Sequence, residues 1–333
     1  MSLSRLTHTA TLLSSGKVLV TGGLESISRV VSSCELYDST SNRWSTARNM
    51  SSPRASHTAT LLPSGKVLVT GGYGKFNHCV STCELYDPTS NKWFPASNMS
   101  LPRTAHTATL LSTEKVLVTG GYIPGFQGVS SCELYDPTSN KWTPAGNMSF
   151  SRKFHTATLL SSGKVLVTGG YEVEIWQMSS CELYDPTSNK WSGVGDMSLS
   201  RASHSATLLP SGKVLVTGGD TSSRAMTSDL YDPRSNKWSI AGNMSSARVS
   251  HTATLLSSGK VLVAGGYNWN SIGSGLSTCD VYDPTSTRWS RVGNMSLTRS
   301  SHTATLLSSG KVLVTGGNYN ADSSDSIAEL YNE

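Results

Sequence analysis

The chain has 333 residues, of which 15% are charged, and a formal net charge of +5. No basic run of five or six residues occurs, so the charge pattern argues against nucleic-acid binding. No apolar stretch approaches the roughly 20 residues of a membrane helix, and the first residues lack the features of a signal peptide. We expect no membrane insertion, and a cytoplasmic location if the chain is complete; an extracellular location stays open if it is a fragment of a secreted protein.

One sixteen-residue phrase, HTATLLSSGKVLVTGG, dominates the sequence. It begins at His8 and returns six times with small changes. The later copies begin at His57, His106, His155, His204, His251 and His302. A fixed period of about 40 to 50 residues is typical of propeller blades or helical arrays. The sequence therefore predicts one large domain of seven repeats, each of about 49 residues.

The local pattern within each unit predicts strands. In the first unit the runs are A (His8–Leu13), B (Lys17–Thr21), C (Ser33–Tyr37) and D (Arg43–Ala47). They are short, rich in β-branched and aromatic residues, and show no helical period. Gly16 suits a tight hairpin between A and B, and most C-to-D links read DPTSNK, a turn sequence.

Runs A and B are apolar at consecutive positions, so both faces of each sheet must be covered. Stacked blades cover both faces, and a closed ring protects the sheet edges. We therefore predict an all-β fold, a seven-bladed β-propeller of four-stranded antiparallel blades spanning residues 1–333. The last unit ends at AELYNE without DPTSNKW, so the seventh blade should lack its outer strand. We expect the ring to close, because run A is present in every unit, and the chain to be a fragment of a longer protein.

Several repeated residues resemble the kelch repeat of the galactose oxidase/kelch superfamily. They are the double glycine (Gly22 and Gly23), Tyr37, Trp44 and the Arg-x-x-His pattern that begins at Arg5. The resemblance covers essentially the whole chain. It implies a kelch-type propeller with seven blades around a central channel.

The links between strands should emerge on two rims. The A-to-B and C-to-D links are nearly the same in every unit, whereas the B-to-C and D-to-A links share the other rim and carry almost all the variation. Aromatic residues on a rigid rim are common anchors of recognition. The candidate partner-binding residues in the variable links are Tyr73, Phe76, His78, Tyr122, Phe126, Tyr171, Trp176, Tyr267, Trp269 and Tyr319. The tyrosine after the double glycine has an equally good structural interpretation.

A second candidate set is a ring of arginines three residues before each repeated histidine. Its members are Arg5, Arg54, Arg103, Arg152, Arg201, Arg248 and Arg299. They could bind an acidic peptide or sugar acid, because guanidinium matches carboxylate in a bidentate geometry. Each unit also carries an acid before Leu-Tyr or Val-Tyr, so a structural pair in every blade is the favoured alternative. The resemblance points the other way, since in some kelch domains arginines on this rim contact acidic peptide segments.

The histidine ring does not predict a metal site. Zinc needs about four ligands in a tetrahedron, and a sevenfold ring around a channel does not supply them. The only asymmetric titratable cluster is Lys75, His78 and Cys79. The five cysteines before Glu/Asp-Leu/Val-Tyr are interpreted as small buried residues.

The predicted function is a non-enzymatic scaffold without a cofactor that binds a protein partner, or a glycan, as a monomer. The alternative is a carbohydrate-binding propeller, or an extracellular copper radical oxidase similar to galactose oxidase.

Overall fold

The computed structural model describes residues 1–26, 29–75, 78–123, 125, 128–172, 176–219, 226–268, 275–317 and 328–333. Six four-stranded antiparallel sheets and one three-stranded sheet form the blades of a propeller, which confirms the predicted fold class. Within the described ranges, no helix is long and apolar enough to cross a membrane. The blades are numbered one to seven in chain order, and their strands keep the letters A to D.

Strands A and B form a hairpin in every blade. The A strands are Thr9–Leu12, Thr58–Leu61, Thr107–Leu110, Thr156–Leu159, Ser205–Leu208, Thr252–Leu255 and Thr303–Leu306. The B strands are Lys17–Thr21, Val67–Thr70, Val116–Thr119, Val165–Thr168, Val214–Thr217, Val261–Ala264 and Val312–Thr315. All seven hairpins have the same register, with the first residue of A opposite the last residue of B.

Strand C pairs with B, and strand D forms the outer edge of blades one to six. The C strands are Cys34–Asp38, Cys83–Asp87, Cys132–Asp136, Cys181–Asp185, Thr227–Asp232, Cys279–Asp283 and Ala328–Tyr331. The D strands are Arg43–Ala47, Lys92–Ala96, Lys141–Ala145, Lys190–Val194, Lys237–Asn243 and Arg288–Val292. A small hairpin, Leu24–Ser26 with Arg29–Val30, lies in the B-to-C link of blade one. Blade seven ends at strand C, as its sequence predicted.

The ring closes without a shared sheet between its first and last blades. Each A strand contacts the A strands of both neighbouring blades, including the pair formed by blades seven and one. Backbone hydrogen bonds cross this junction. The Thr7 N–H donates to the Ser301 carbonyl at 3.1 Å, and the Gly317 N–H donates to the Arg5 carbonyl at 2.8 Å. The predicted closed ring is therefore confirmed.

The hydrophobic core lies between the blades. Leu19 of blade one packs against Val67 and Val69 of blade two, whereas Val18 and Val20 pack on the opposite face against blade seven. Neighbouring residues of strand B point to opposite faces, so each B strand contributes to two cores. This arrangement explains why the B strands are apolar at consecutive positions. Among the described residues every core cluster combines two neighbouring blades, so each blade depends on both neighbours.

The double glycine at the end of strand B is required by geometry. In blade four, Gly169 and Gly170 have φ of +57° and +98°, in the region that favours glycine. A Cβ atom on Gly169 would collide with the carbonyl oxygen of Arg201 in the next blade. The pair lets strand B leave the sheet while the next blade packs directly against it.

The repeated cysteines are buried and unpaired, as predicted. The Cys34 thiol lies 3.4 Å from the Ser32 carbonyl, and burial raises the pKa of this thiol to about 12. The same increase holds for Cys83, Cys132 and Cys181. These residues therefore act as small core side chains.

Candidate partner-binding rim

The variable rim consists of the B-to-C and D-to-A links. Isolated backbone bridges join the two kinds of link, pairing the first residue after a double glycine with the residue two before the repeated histidine. Tyr73, Tyr122, Tyr171 and Tyr267 all occupy the first of these positions, and their side chains are half-buried. Their backbone position is therefore structural, and their side chains lie at the edge of the rim.

The arginines are held inside the blades. In blade four, both terminal nitrogens of Arg152 are satisfied: Nη1 donates to the carbonyls of Gly169 and Ser180, each at 2.8 Å, and Nη2 donates to Glu182 at 3.1 Å. The other carboxylate oxygen of Glu182 accepts the Ser149 N–H at 2.7 Å. The pair thus ties the D-to-A link to strands B and C of the next blade.

All seven arginines make such a pair. The pairs are Arg5–Glu35, Arg54–Glu84, Arg103–Glu133, Arg152–Glu182, Arg201–Asp229, Arg248–Asp280 and Arg299–Glu329. Every one of these arginine side chains is 0% exposed, which agrees with the structural pair that the sequence favoured and leaves no exposed guanidinium for partner contact. A buried guanidinium needs a charged partner, and the acid of its own blade supplies it. The argument for an acidic peptide partner therefore loses its basis.

The repeated histidines connect neighbouring blades. The Nε2 atom of His57 lies 3.0 Å from the Thr9 hydroxyl and 3.1 Å from the Thr21 hydroxyl, both in the preceding blade. Burial, reinforced by the nearby arginine, lowers the pKa of His106 from 6.5 to about 3. These imidazoles are therefore neutral at physiological pH and pack between blades. The described ranges contain no group of three or more His, Cys, Asp or Glu residues that could hold a metal ion.

A closed circle of backbone hydrogen bonds surrounds the mouth of the channel. It is made by the residue before each repeated histidine, whose N–H donates to the carbonyl of its counterpart in the preceding blade at 2.9 to 3.3 Å. The seven members are Thr7, Ser56, Ala105, Phe154, Ser203, Ser250 and Ser301. All have φ near +50°, which is uncommon for residues with a side chain. Phe154 alone carries a large side chain.

Phe154 forms an aromatic cluster with two of the predicted rim residues. Its ring centroid lies 6.2 Å from that of Tyr122 and 6.3 Å from that of Tyr171, in an edge-to-face arrangement with the latter. Lys153 places its Nζ 5.4 Å from the centre of the Tyr122 ring, within the range of a cation–π contact. Phe154 itself is 40% exposed. We call Tyr122, Phe154 and Tyr171 the aromatic cluster.

Trp176 is another exposed aromatic residue of the rim, in the blade whose tyrosine joins the aromatic cluster. The Trp176 side chain is 68% exposed. The neighbouring Gln177 is held in place, since its Nε2 donates to the Tyr171 hydroxyl at 3.2 Å. His78 is exposed and Cys79 half-buried on the link of blade two. Four other predicted residues lie outside the described residues: Phe76, Phe126, Trp269 and Tyr319. They stay predictions.

Phe154 was not among the site residues predicted from the sequence. The signal was present, since this position is Ser, Thr or Ala in every other unit. Phe154 lies inside the repeated segment and not in a variable link. One bulky residue in a repeated segment is more informative than several in a loop.

Comparisons with known proteins agree with this architecture. The KLHDC2/KLHL20/DRC7 Kelch-repeats domain family matches residues 7–211, and the Kelch motif matches residues 248–296. No curated protein matches the sequence.

Two solved structures show the same fold. One is described as a novel fungal alcohol oxidase with catalytic diversity among the AA5 family, in complex with copper; identity is 18%, TM-score 0.79, and 98% of this chain and 73% of that chain are covered. The other is the structure of YjhT, with 15% identity, TM-score 0.69, and 87% and 98% covered. At these identities the similarity concerns the fold alone.

Proposed function

Since the chain belongs to the kelch-repeat family, whose propellers generally serve as protein-interaction scaffolds, we propose that it binds a protein partner through its variable rim without catalysing a reaction. The observation that carries this proposal is the aromatic cluster with Trp176. It lies on the one rim where the blades differ from each other.

Phe154 supports the proposal because its position is unfavourable for the free protein. A bulky residue with φ of 55° is strained, by an amount on the order of 1 kcal/mol or more. Its ring also remains 40% exposed beside the channel mouth, at a position where the other six blades carry Ser, Thr or Ala. Strain and exposure at one asymmetric position are expected where a side chain is used for recognition.

A pull-down with quantitative mass spectrometry tests the proposal. The bait variant Phe154→Ser with Trp176→Ala should lose the partner captured by the wild-type chain, by at least about tenfold, because exposed aromatic anchors dominate binding energy. Serine already occupies the equivalent position in four other blades, so the variant should keep the fold.

The matched control is Ile240→Ala. Ile240 is 71% exposed on an outer strand of blade five, away from the rim. Ile240→Ala also removes exposed apolar surface and should leave capture unchanged. If the double variant captured every partner as the wild type does, the proposed rim would be wrong.

The alternative functions have less structural support. An oxidase similar to the copper-bound fungal enzyme shares only the fold at 18% identity, and a carbohydrate site would also use exposed aromatic rings. We expect purified protein to contain no stoichiometric copper after growth with copper, as measured by elemental analysis. Stoichiometric copper together with oxidation of an alcohol would favour the oxidase.

A further inference from the structure

Blades one to six each carry a row of three charges at one end of the sheet. In blade three, Lys115 directly precedes strand B, Asp136 ends strand C and Lys141 begins strand D. The Lys115 Nζ lies 3.8 Å from the Asp136 carboxylate, and the strand register places Lys141 opposite Asp136. The row holds two cations and one acid, so its net charge is +1.

The net charge of the chain lies in these rows. Every row stands at the strand ends beside the A-to-B and C-to-D links, on the rim that we call the repeated rim. Six rows of +1 give this rim a charge of +6, against +5 for the whole chain. All other charges of the chain therefore nearly cancel. Because the cations of different rows are far apart in sequence, the charged surface forms only when the ring folds.

The row leaves its cations available to a partner. Lys115 and Lys164 are 43% and 41% exposed although each pairs with the acid of its row. That acid is already engaged, since Asp136 also accepts the Thr138 N–H at 2.9 Å. The cation that begins strand D is exposed in each of the six blades, and no ion pair joins it to the described residues. These six cations are Arg43, Lys92, Lys141, Lys190, Lys237 and Arg288.

The turns beside the rows are small and polar. The A-to-B turns read SSG, PSG or STE, and the C-to-D turns read STSN, PTSN, PRSN or PTST. All of these turns lie within the described residues, and none holds an aromatic or large apolar side chain. Neighbouring turns approach each other closely, since a Cβ atom on Gly163 would lie 3.4 Å from the Ser112 hydroxyl of the preceding blade. The repeated rim is therefore a polar surface with cations spaced around it.

This surface fits an anionic lipid bilayer better than a protein or a nucleic acid. Protein interfaces are centred on aromatic or apolar anchors, which the turns of the repeated rim lack. Nucleic-acid binding adds stacking aromatic rings or an element that enters a groove, and these turns supply neither. A bilayer presents anionic headgroups across a plane, so exposed cations distributed over one face are sufficient for attraction.

We propose that the repeated rim docks on the surface of a membrane rich in anionic lipid. The attraction is electrostatic, and no part of the rim inserts into the hydrocarbon region. In this orientation the variable rim faces away from the bilayer, so Phe154 and Trp176 remain accessible. The proposal does not depend on the protein partner proposed for the variable rim.

Vesicle co-sedimentation of the 333-residue chain tests the proposal. Phosphatidylcholine vesicles with about 30% phosphatidylserine should bind the protein in about 50 mM salt, because their surface is anionic. Vesicles of phosphatidylcholine alone should not bind it. Raising the salt to about 500 mM should reduce binding to the anionic vesicles by at least about tenfold, because salt screens the attraction.

Two double variants with the same net charge locate the docking surface. Lys141→Glu with Lys190→Glu changes the repeated rim, whereas Arg29→Glu with Lys75→Glu changes the variable rim. All four side chains are exposed, and thermal melting checks that both variants keep the fold. The first variant should lower the partition onto anionic vesicles by at least about tenfold, because its cations face the lipid. The second should lower it by less than about threefold, because the charges on the opposite rim are screened.

Three outcomes would overturn the proposal. They are no binding to anionic vesicles at low salt, an equal loss of binding in the two double variants, and tighter binding to heparin or duplex DNA than to the vesicles. The last would assign the repeated rim to a linear polyanion. Phe154→Ser with Trp176→Ala should bind the vesicles as the wild type does, so failure here is distinguishable from failure of the variable rim.

Discussion

Glu182→Gln is expected to destabilise the folded chain by about 3–5 kcal/mol, the usual loss when one partner of a buried ion pair is removed. The substitution leaves the Arg152 guanidinium 0% exposed and without a counter-charge. The guanidinium cannot relieve this by losing its proton, since arginine stays protonated in proteins. Urea unfolding at neutral pH measures the change in the free energy of unfolding.

Lys164→Gln is the matched control for this experiment. Lys164 pairs with Asp185 at 3.1 Å in the same blade, but the two side chains are 41% and 31% exposed. Exposed pairs contribute about 0–1 kcal/mol, so this variant should remain close to the wild type. Equal stability of the two variants would show that the arginines are not structural, and would restore them as candidates for ligand binding.

Mild acid is expected to unfold the protein as its histidines take up protons. For His8, His106, His204 and His302 the folded-state pKa is lowered from 6.5 to about 3, mainly by burial. The pKa values of the other three repeated histidines are also lowered well below 6.5. Below pH 6.5 the unfolded chain binds protons that the folded chain does not. Stability is therefore complete above pH 6.5 and is lost as the pH falls towards 3.

Each histidine reduces the free energy of unfolding by about 1.4 kcal/mol for each pH unit in this window. Seven of them together match the total stability of an ordinary domain, about 5–15 kcal/mol, within one or two units. Urea titrations between pH 8 and pH 5 measure this slope. His106→Gln should reduce this slope by the contribution of one proton, because the pKa of this buried imidazole is lowered to about 3. A free energy of unfolding that did not change between pH 7 and pH 5 would contradict the structural role of the histidine ring.

Much of the fold could be predicted because the same pattern of strands and turns occurs in seven repeats. The apolar run of strand B, such as Val18 to Val20, requires two covered faces, and stacking of blades provides them. The three strands of blade seven within residues 1–333 could also be predicted, because the last unit stops before its DPTSNKW segment. The sequence did not show how the three-stranded blade changes the surface of blade six. There, Gly293 and Met295 line a groove beside strand C of blade seven.

The site was less predictable, because burial cannot be read from residue type alone. Arg152 and Glu182 lie far apart in the sequence, and only the fold brings them together away from solvent. Phe154 stood out as a substitution, but its contacts with Tyr122 and Tyr171 depend on two different B-to-C links. Repetition therefore reveals a scaffold more readily than the few positions that depart from it.

The circle of main-chain hydrogen bonds at the channel mouth also makes the backbone structure independent of the side chains that it carries. Every amide N–H and carbonyl in it is engaged by a neighbouring blade, so a visiting molecule meets side chains, those of the seven members and of the repeated histidines beside them. One blade can exchange serine for phenylalanine, as at Phe154, without altering the main-chain bonding of the other six. The mouth is a surface on which evolution can change one contact at a time.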